Sequence, residues 1–271
     1  MRVLYRAVLT LALLSLFRAA FSAESGSQIY GTYQAGCLTG SVELPLDSPD
    51  YQVQIWGEGR NFAHPSMLSY LKGLIERSKE AGLPPLLIGD LSFRYGGPYG
   101  PKSSHASHSI GLDVDLPLEF ASPRLTAREL RHPQSHNIVT SKGPNARFTG
   151  EIATYIRLAA DDPRVERIFV NPRIKEHLCK LYAGQDRSWL RVVRPWFAHR
   201  AHMHVRLACP PDSPYCVPQS PVPQGDGCGY EVASWFLPPA KPAPGKKPVA
   251  AKKAKPMLPA QCEALLKLNS R

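Results

Sequence analysis

The sequence lacks the motifs of several common hydrolases and of thiolate zinc sites. It has neither the Gly-x-Ser-x-Gly sequence of serine hydrolases nor the His-Glu-x-x-His sequence of many metalloproteases. It also has no Cys-x-x-Cys pair, which disfavours a zinc ion held by thiolates. Beyond the N-terminal region there is no run of about 18 apolar residues. The rest of the chain is therefore predicted to have no transmembrane segment.

Basic charge is scarce in the central part of the chain. The 271 residues have a formal net charge of +11, but residues 24–237 contribute only +1 of it. Residues 1–23 hold three arginines and residues 238–259 hold six lysines, and neither segment has an acidic residue. A nucleic-acid-binding fold needs a concentrated basic face. We therefore expect no nucleic-acid partner.

The first 23 residues predict a cleavable signal peptide. Arg2 and Arg6 precede an apolar run from Ala7 to Phe17, which is too short to span the ~30 Å of a bilayer core. Ser22 and Ala23 provide small residues at which cleavage can occur. The alternative is an uncleaved anchor. In the favoured interpretation the mature protein is exported.

Six cysteines remain after this cleavage, and an even number in an exported chain predicts three disulfides. Many pairings of six cysteines are possible, so the connectivity stays open at this point. The short proline-rich loop between Cys209 and Cys216 favours these two as a local pair.

Periodicity predicts an α+β domain over residues 24–237, with a central antiparallel sheet flanked by helices and braced by disulfides. The predicted helices are 68–79, 150–160 and 174–181, and the predicted strands are 86–91, 111–116, 167–171 and 199–207. The strand at 111–116 is expected to be half buried, because apolar and acidic residues alternate along it. Residues 24–50 are rich in Gly, Ser and Pro, show little periodicity and are expected to form a lead-in that Cys37 ties to a distant segment.

Residues 238–259 are almost entirely Pro, Ala and Lys, which predicts an extended linker. We expect Cys262 to tie residues 260–271 back to the domain. A solvated linker is the simplest interpretation of the lysines. Attraction to an anionic cell-wall polymer or membrane surface is a second hypothesis.

Five of the nine histidines fall into two short clusters, His105 with His108, and His199 with His202 and His204. Residues two apart on a strand face the same side, so His202 and His204 share one face, as do Asp113 and Asp115. If two such strands lie side by side, they assemble His, Asp and His around one point. These are the ligands of a catalytic zinc ion with an open position for water.

Each of these side chains also has an ordinary interpretation. Hydrogen bonds alone would account for a buried His105 or His199. The ordinary interpretation of Asp113 is that it orients a ligand histidine without contacting the metal. Two histidines on one strand also arise by chance.

The sequences of two segments are more informative about the protein family than the spacing of the histidines is. The sequences HASHSIGLDVD at 105–115 and WFAHRAHMHVR at 196–206 closely resemble the penicillin-insensitive murein endopeptidases. That family is related to the D-Ala-D-Ala metallopeptidases, lysostaphin-type peptidases and hedgehog domains. The resemblance extends from about Gly36 to Cys262 and includes residues 56–61, 87–90, 167–171 and 225–229.

The resemblance implies a zinc ion held by His108, Asp115 and His204, with His202 as the catalytic histidine beside it. His105, His199 and Asp113 would line the site or add a ligand. The family's cysteine pattern implies the disulfides Cys37–Cys262, Cys179–Cys228 and Cys209–Cys216.

Some endopeptidases of this type bind a further metal through an Asp-Gly-x-His stretch. This chain has Lys142-Gly143-Pro144-Asn145 there, so one zinc is expected and a second is not.

The family cleaves the D-alanyl to meso-diaminopimelyl crosslink between peptidoglycan stem peptides. The resemblance therefore implies a periplasmic zinc endopeptidase whose partner is crosslinked peptidoglycan. A zinc carboxypeptidase that trims terminal D-alanine would use the same ligands. A non-catalytic, zinc-stabilised cell-wall-binding domain is a third possibility, but the intact His202 favours an enzyme. No feature of the sequence indicates an oligomeric state.

Overall fold

The structure, a computed structural model, describes residues 26–55, 57–100, 103, 105–238 and 257–269. The predicted signal peptide and nearly all of the predicted linker lie outside these residues. The described part is a mixed α+β fold with several small sheets, so the predicted fold class is confirmed. No helix in the described ranges is both long and apolar enough to cross a membrane.

The strands of the described residues are short and form five small sheets. They are β1 (Gln28–Gly31), β2 (Gly36–Thr39), β3 (Val42–Glu43), β4 (Asp47–Ser48), β5 (Tyr51–Val53), β6 (Phe62–Ala63), β7 (Leu86–Ile88), β8 (Asp113–Pro117), β9 (Val139–Thr140), β10 (Gly143–Pro144), β11 (Val165–Val170), β12 (Val193–Pro195) and β13 (His202–Leu207).

The helices of the same residues are α1 (Pro65–Glu80), α2 (Ala127–Arg131), α3 (Gly150–Ala160), α4 (Pro172–Leu181), α5 (Tyr230–Ser234) and α6 (Ala260–Leu266), with one 3-10 helix at Ser188–Arg191. The three helices predicted from periodicity correspond to α1, α3 and α4. Helix α1 begins where His64 Nδ1 accepts a hydrogen bond from the Ser66 N–H, with Pro65 at its first position. Its buried face, which includes Leu71 and Leu74, packs into the main core.

The largest sheet has the strand order β12-β11-β13-β8. Strands β8, β13 and β11 pair antiparallel, as predicted, but β12 pairs parallel with β11. Helix α4 and the 3-10 helix lie between β11 and β12 in the chain, and such a crossover is what joins parallel neighbours.

One further prediction was wrong. Strand β8 is buried on both faces rather than half buried, because the loop that carries His105 and His108 covers its acidic face. The lead-in, for which no strand was predicted, contains β1 and β2, an antiparallel pair that buries Ile29 and Leu38 completely. Alternation over four residues is too short to detect in the sequence.

Three disulfides form with the implied connectivity, Cys37–Cys262, Cys179–Cys228 and Cys209–Cys216. The first joins α6 to β2, as expected of Cys262. Leu266 lies against Gly97, and Asn269 accepts a hydrogen bond from the Tyr95 N–H and donates one to Gly96 O. The C-terminal segment therefore supports the loop that leads towards His105.

We predict that replacing both Cys37 and Cys262 by alanine lowers the free energy of unfolding by about 4 kcal/mol. The reason is that this disulfide closes a loop with a sequence separation of 225, which strongly restricts the unfolded chain. Urea unfolding measures the change. The control is the alanine pair at Cys209 and Cys216, whose separation is 7. An equal or larger loss in the control would contradict the prediction.

Candidate metal centre and active site

Strands β8 and β13 carry the polar groups of the site in matched pairs. In their antiparallel register His204 lies opposite Asp115, and Arg206 lies opposite Asp113. His202 precedes this set on the same face of β13, because side chains two residues apart point the same way. The alternating polar residues of the two neighbouring strands therefore lie together in one cluster.

Asp113 lies beneath this cluster and is completely buried. Its Oδ1 accepts from His204 Nε2 at 2.8 Å and from Arg206 Nε at 2.6 Å, and its Oδ2 accepts from the His108 backbone N–H at 3.0 Å. Burial alone would raise the pKa of Asp113, but Arg206 and His204 outweigh burial and lower it. Asp113 is thus an ionised carboxylate that orients two histidines.

Asp115 is surrounded by imidazole rings. His204 Nδ1 lies 2.9 Å and His202 Nε2 3.8 Å from its Oδ1, while His105 Nδ1 lies 3.3 Å and His108 Nε2 3.5 Å from its Oδ2. Burial alone would raise the pKa of Asp115. The nearby imidazoles, above all His108 and His202, outweigh burial and hold this pKa well below its usual value. The predicted ligands and the predicted catalytic histidine are brought to one carboxylate.

The ring orientation of His108 is fixed by the backbone. Its Nδ1 lies 2.8 Å from Leu91 O, and since a carbonyl only accepts, Nδ1 carries the proton. Tyr99 donates to the same carbonyl at 2.6 Å and stacks on the His108 ring. The lone pair of His108 Nε2 is therefore left facing Asp115.

Two atoms in this cluster suit a metal ion. Among the described residues, His108 Nε2 and Asp115 Oδ1 are buried without a hydrogen-bond partner. His204 Nδ1 is close to that Oδ1 but does not meet it with hydrogen-bond geometry. Ligand atoms of His105, His108 and Asp115 all lie within 4.8 Å of one another. Imidazole and carboxylate donors that converge in this way fit a divalent metal.

The group of candidate metal ligands defined by these distances differs in one residue from the set that the resemblance implies. It contains His108 and Asp115, but its third member is His105, where the resemblance implies His204. His204 reaches the opposite oxygen of the same carboxylate. Both histidines therefore border the candidate metal position.

Asp90 and Arg60 were missed as site residues. Asp90 Oδ2 lies 3.3 Å from His105 Nε2, and Arg60 Nε lies 3.1 Å from Asp90 Oδ1. Burial, followed by the Asp115 charge, raises the pKa of Asp90 to about 6, and burial lowers the pKa of His105 to about 4. At neutral pH this contact joins a carboxylate to a neutral imidazole. Asp90 lies within the predicted strand 86–91 and in the 87–90 segment of the resemblance, but neither marked it as a site residue.

His199 precedes β13 instead of starting it, which corrects the predicted strand 199–207. Ala198 and His199 have φ values of 55° and 47°, so the chain turns here before it becomes extended. His199 Nδ1 donates to Phe197 O at 2.5 Å, and its ring lies 5.0 Å from that of His202. Burial lowers the pKa of His199 to about 4 and also lowers that of His202. Both rings are neutral at pH 7.

The cluster opens into a cavity of about 380 Å³. Its walls include all five clustered histidines and Asp115, together with Arg167, Phe169, Trp196 and Arg206. A larger cavity of about 680 Å³ lies beside Glu119 and His136, but the candidate metal ligands found among the described residues do not line it. Chemistry rather than size therefore identifies the site.

Comparison with known proteins identifies the family of this chain. Residues 29–267 match the family described as penicillin-insensitive murein endopeptidase. The chain belongs to this family. The penicillin-insensitive murein endopeptidases of Klebsiella pneumoniae subsp. pneumoniae and Salmonella arizonae are each 46% identical to it over 243 residues, covering 89% of this chain and 86% of the relative. The resemblance inferred from the sequence is confirmed, and the protein is a peptidoglycan endopeptidase of a metallopeptidase family.

We predict that Asp113→Asn weakens metal binding by about 10- to 100-fold. An amide cannot accept from His204, Arg206 and the His108 backbone together, and it leaves the Arg206 charge buried without its counter-ion. Titration with Zn²⁺ against a chromogenic chelator measures the affinity. Asp162→Asn is the control, because it removes another buried carboxylate paired with an arginine, Arg164. Equal affinity in the two variants would show that Asp113 does not position metal ligands.

Proposed function

We propose that the protein is an exported zinc endopeptidase that hydrolyses the D-alanyl to meso-diaminopimelyl crosslink between peptidoglycan stem peptides in the periplasm. The observation that carries the proposal is the pair of buried, unpartnered donor atoms, His108 Nε2 and Asp115 Oδ1, at the base of an open cavity. The names of the relatives support murein as the substrate.

Zinc suits this donor set better than Mg²⁺ or Ca²⁺, which prefer oxygen ligands. In our proposal His108 Nε2, Asp115 and His204 Nδ1 hold the ion, and His105 Nδ1 is the additional donor on the other side of the carboxylate. When bound, zinc polarises a peptide carbonyl and lowers the pKa of a water molecule to about 7.

His202 is the residue we assign to proton transfer. Hydrolysis adds the hydroxyl of water to the carbonyl carbon, breaks the C–N bond and delivers the proton of water to the departing amine. A neutral imidazole accepts that proton and returns it to the amine nitrogen. His202 is neutral at pH 7, its side chain is 34% exposed in the cavity, and the nearby Asp115 charge stabilises its protonated form.

His199 and Asp113 have supporting roles in this proposal. The His199 ring packs against His202 with one nitrogen bound to a backbone carbonyl, which makes it suited to line the site and contact substrate. Asp113 keeps His204 Nε2 protonated, so that Nδ1 is the nitrogen available to the metal.

We predict that His202→Ala lowers kcat by about 10²- to 10⁴-fold with little change in zinc affinity, because it removes proton transfer and no metal donor. The assay incubates crosslinked muropeptide dimers with the protein and detects monomers by mass spectrometry. His177→Ala on α4 is the control, since that ring packs on Phe148 outside the cavity. A variant that loses zinc along with activity would contradict the assigned role.

The same assay separates the alternatives. Conversion of dimers to monomers that stops with a chelator and returns with zinc supports the endopeptidase. Loss of terminal D-alanine alone would indicate a carboxypeptidase. No product from folded, zinc-loaded protein would indicate a cell-wall-binding domain.

We also predict that the His204 ring is a cation at pH 7.5 in the metal-free protein and becomes neutral when zinc is added. Burial lowers its pKa, but the Asp113 and Asp115 carboxylates outweigh burial and raise the pKa to about 9. Below that pH zinc must therefore displace a proton from His204. Nitrogen-15 NMR of the histidine rings, with and without chelator, measures this. A neutral His204 at pH 7.5 before zinc is added would contradict it.

A further inference from the structure

An exposed aromatic surface lies next to the metal-site cavity. It consists of Trp196, Phe197, Trp235 and Phe236, which we call the aromatic platform. Trp196 is 49% exposed and Phe197 is 71% exposed, although both are large apolar side chains. Exposed apolar groups gathered in one patch mark binding surfaces far more often than isolated ones do.

The platform is continuous with the cavity. Phe169, in the cavity wall, has its ring centroid 5.6 Å from that of His204 and 5.6 Å from that of Trp196. From Trp196 the rings continue to Phe197 at 6.1 Å and to Trp235 at 6.3 Å. A polymer bound with one group in the cavity would therefore meet these rings next.

The platform is held in place before any ligand binds. Trp196 and Phe197 follow β12, and Asn171 Nδ2 donates to Ala198 O at 2.7 Å just beyond them. Trp235 follows α5, whose Glu231 forms an ion pair with Arg194 of β12. The Cys179–Cys228 disulfide joins α4 to the residues directly before α5. A rigid surface loses little conformational entropy on binding.

Two arginines at the platform form ion pairs. Arg173 stacks over the Phe236 ring at 3.9 Å and also contacts Glu176 at 2.8 Å, and Arg194 pairs with Glu231. Around these two arginines the surface offers ring faces beside paired charge. It suits a neutral ligand with flat apolar faces, such as the C–H faces of pyranose rings, better than it suits phosphate or carboxylate groups.

We propose that the aromatic platform binds the glycan strand from which the stem peptides extend, a polymer of N-acetylated hexoses, while the cavity receives the crosslink. This inference rests on the proposed function. A stem peptide of about three residues would span roughly 10 Å when extended. Successive centroid spacings of 5.6 Å lead from His204 to Phe169 and from Phe169 to Trp196, so that reach brings the first sugar to Trp196, and the sugars that follow would meet Phe197 and Trp235.

The test compares one crosslink in two settings, namely dimers still attached to glycan strands and the same peptide dimers freed of sugar. Phe197→Ala is expected to lower kcat/KM on glycan-attached dimers by roughly five- to tenfold, and to change kcat/KM on sugar-free dimers less than twofold. Trp235→Ala is a second variant with the same expectation. Tyr230→Ala is the control, because this 78% exposed aromatic residue on α5 is outside the platform.

A binding measurement separates this inference from the proposed function. Glycan strands stripped of stem peptides should quench the tryptophan fluorescence of the chelator-treated protein, and Phe197→Ala should weaken that binding by a similar factor. If the wild type cleaves neither substrate, the proposed function fails and glycan binding alone decides the role of the platform.

Three results would overturn the inference. If Phe197→Ala lowers kcat/KM equally on both substrates, Phe197 acts on the geometry of the active site. If kcat/KM is unchanged on both substrates, the platform has no role in catalysis on murein. Binding to vesicles of neutral and anionic phospholipid that depends on Phe197, without glycan binding, would assign the platform to a membrane surface.

Discussion

The site depends on one buried carboxylate, that of Asp113. A lone charge at this depth would be strongly unfavourable, so Asp113 is stable only together with Arg206, which lies opposite it on β13 and packs over the rings of Tyr33 and Phe169. The same carboxylate holds the His204 ring and the His108 backbone, where φ is 75°. Strand register, ring orientation and a strained loop are thus fixed by one group.

Five neighbouring histidines behave differently because their surroundings differ. His204 lies between two carboxylates and has a raised pKa, whereas burial lowers the pKa of His105, His199 and His202. His108 is oriented by a backbone carbonyl. The cluster therefore provides nitrogen lone pairs on one side and a neutral imidazole facing the cavity on the other. In our proposal these are the requirements of a metal site and of proton transfer.

Much of this arrangement could be predicted from local patterns. Alternation placed Asp113 with Asp115 and His202 with His204 on one strand face each. The sequences of the motifs at 105–115 and 196–206 identified the family. Period-two alternation does not specify which strands pair or in which register, so the Arg206–Asp113 pair was missed. Asp90 and Arg60 reach His105 from segments distant in sequence, and no local pattern connects them. Burial of both faces of β8 was missed because alternation along a strand does not show that the preceding loop folds back over its acidic face.

The disulfide to α6 also makes the support of the active site depend on redox conditions. Helix α6 holds the 95–97 loop, from which the chain runs to Tyr99 and His105, and its Cys262 is joined to Cys37. Disulfides form and persist in oxidising compartments. A reduced chain therefore lacks this covalent support of its histidine loop. Full support of a wall-degrading site thus depends on the redox state of the compartment in which the chain folds.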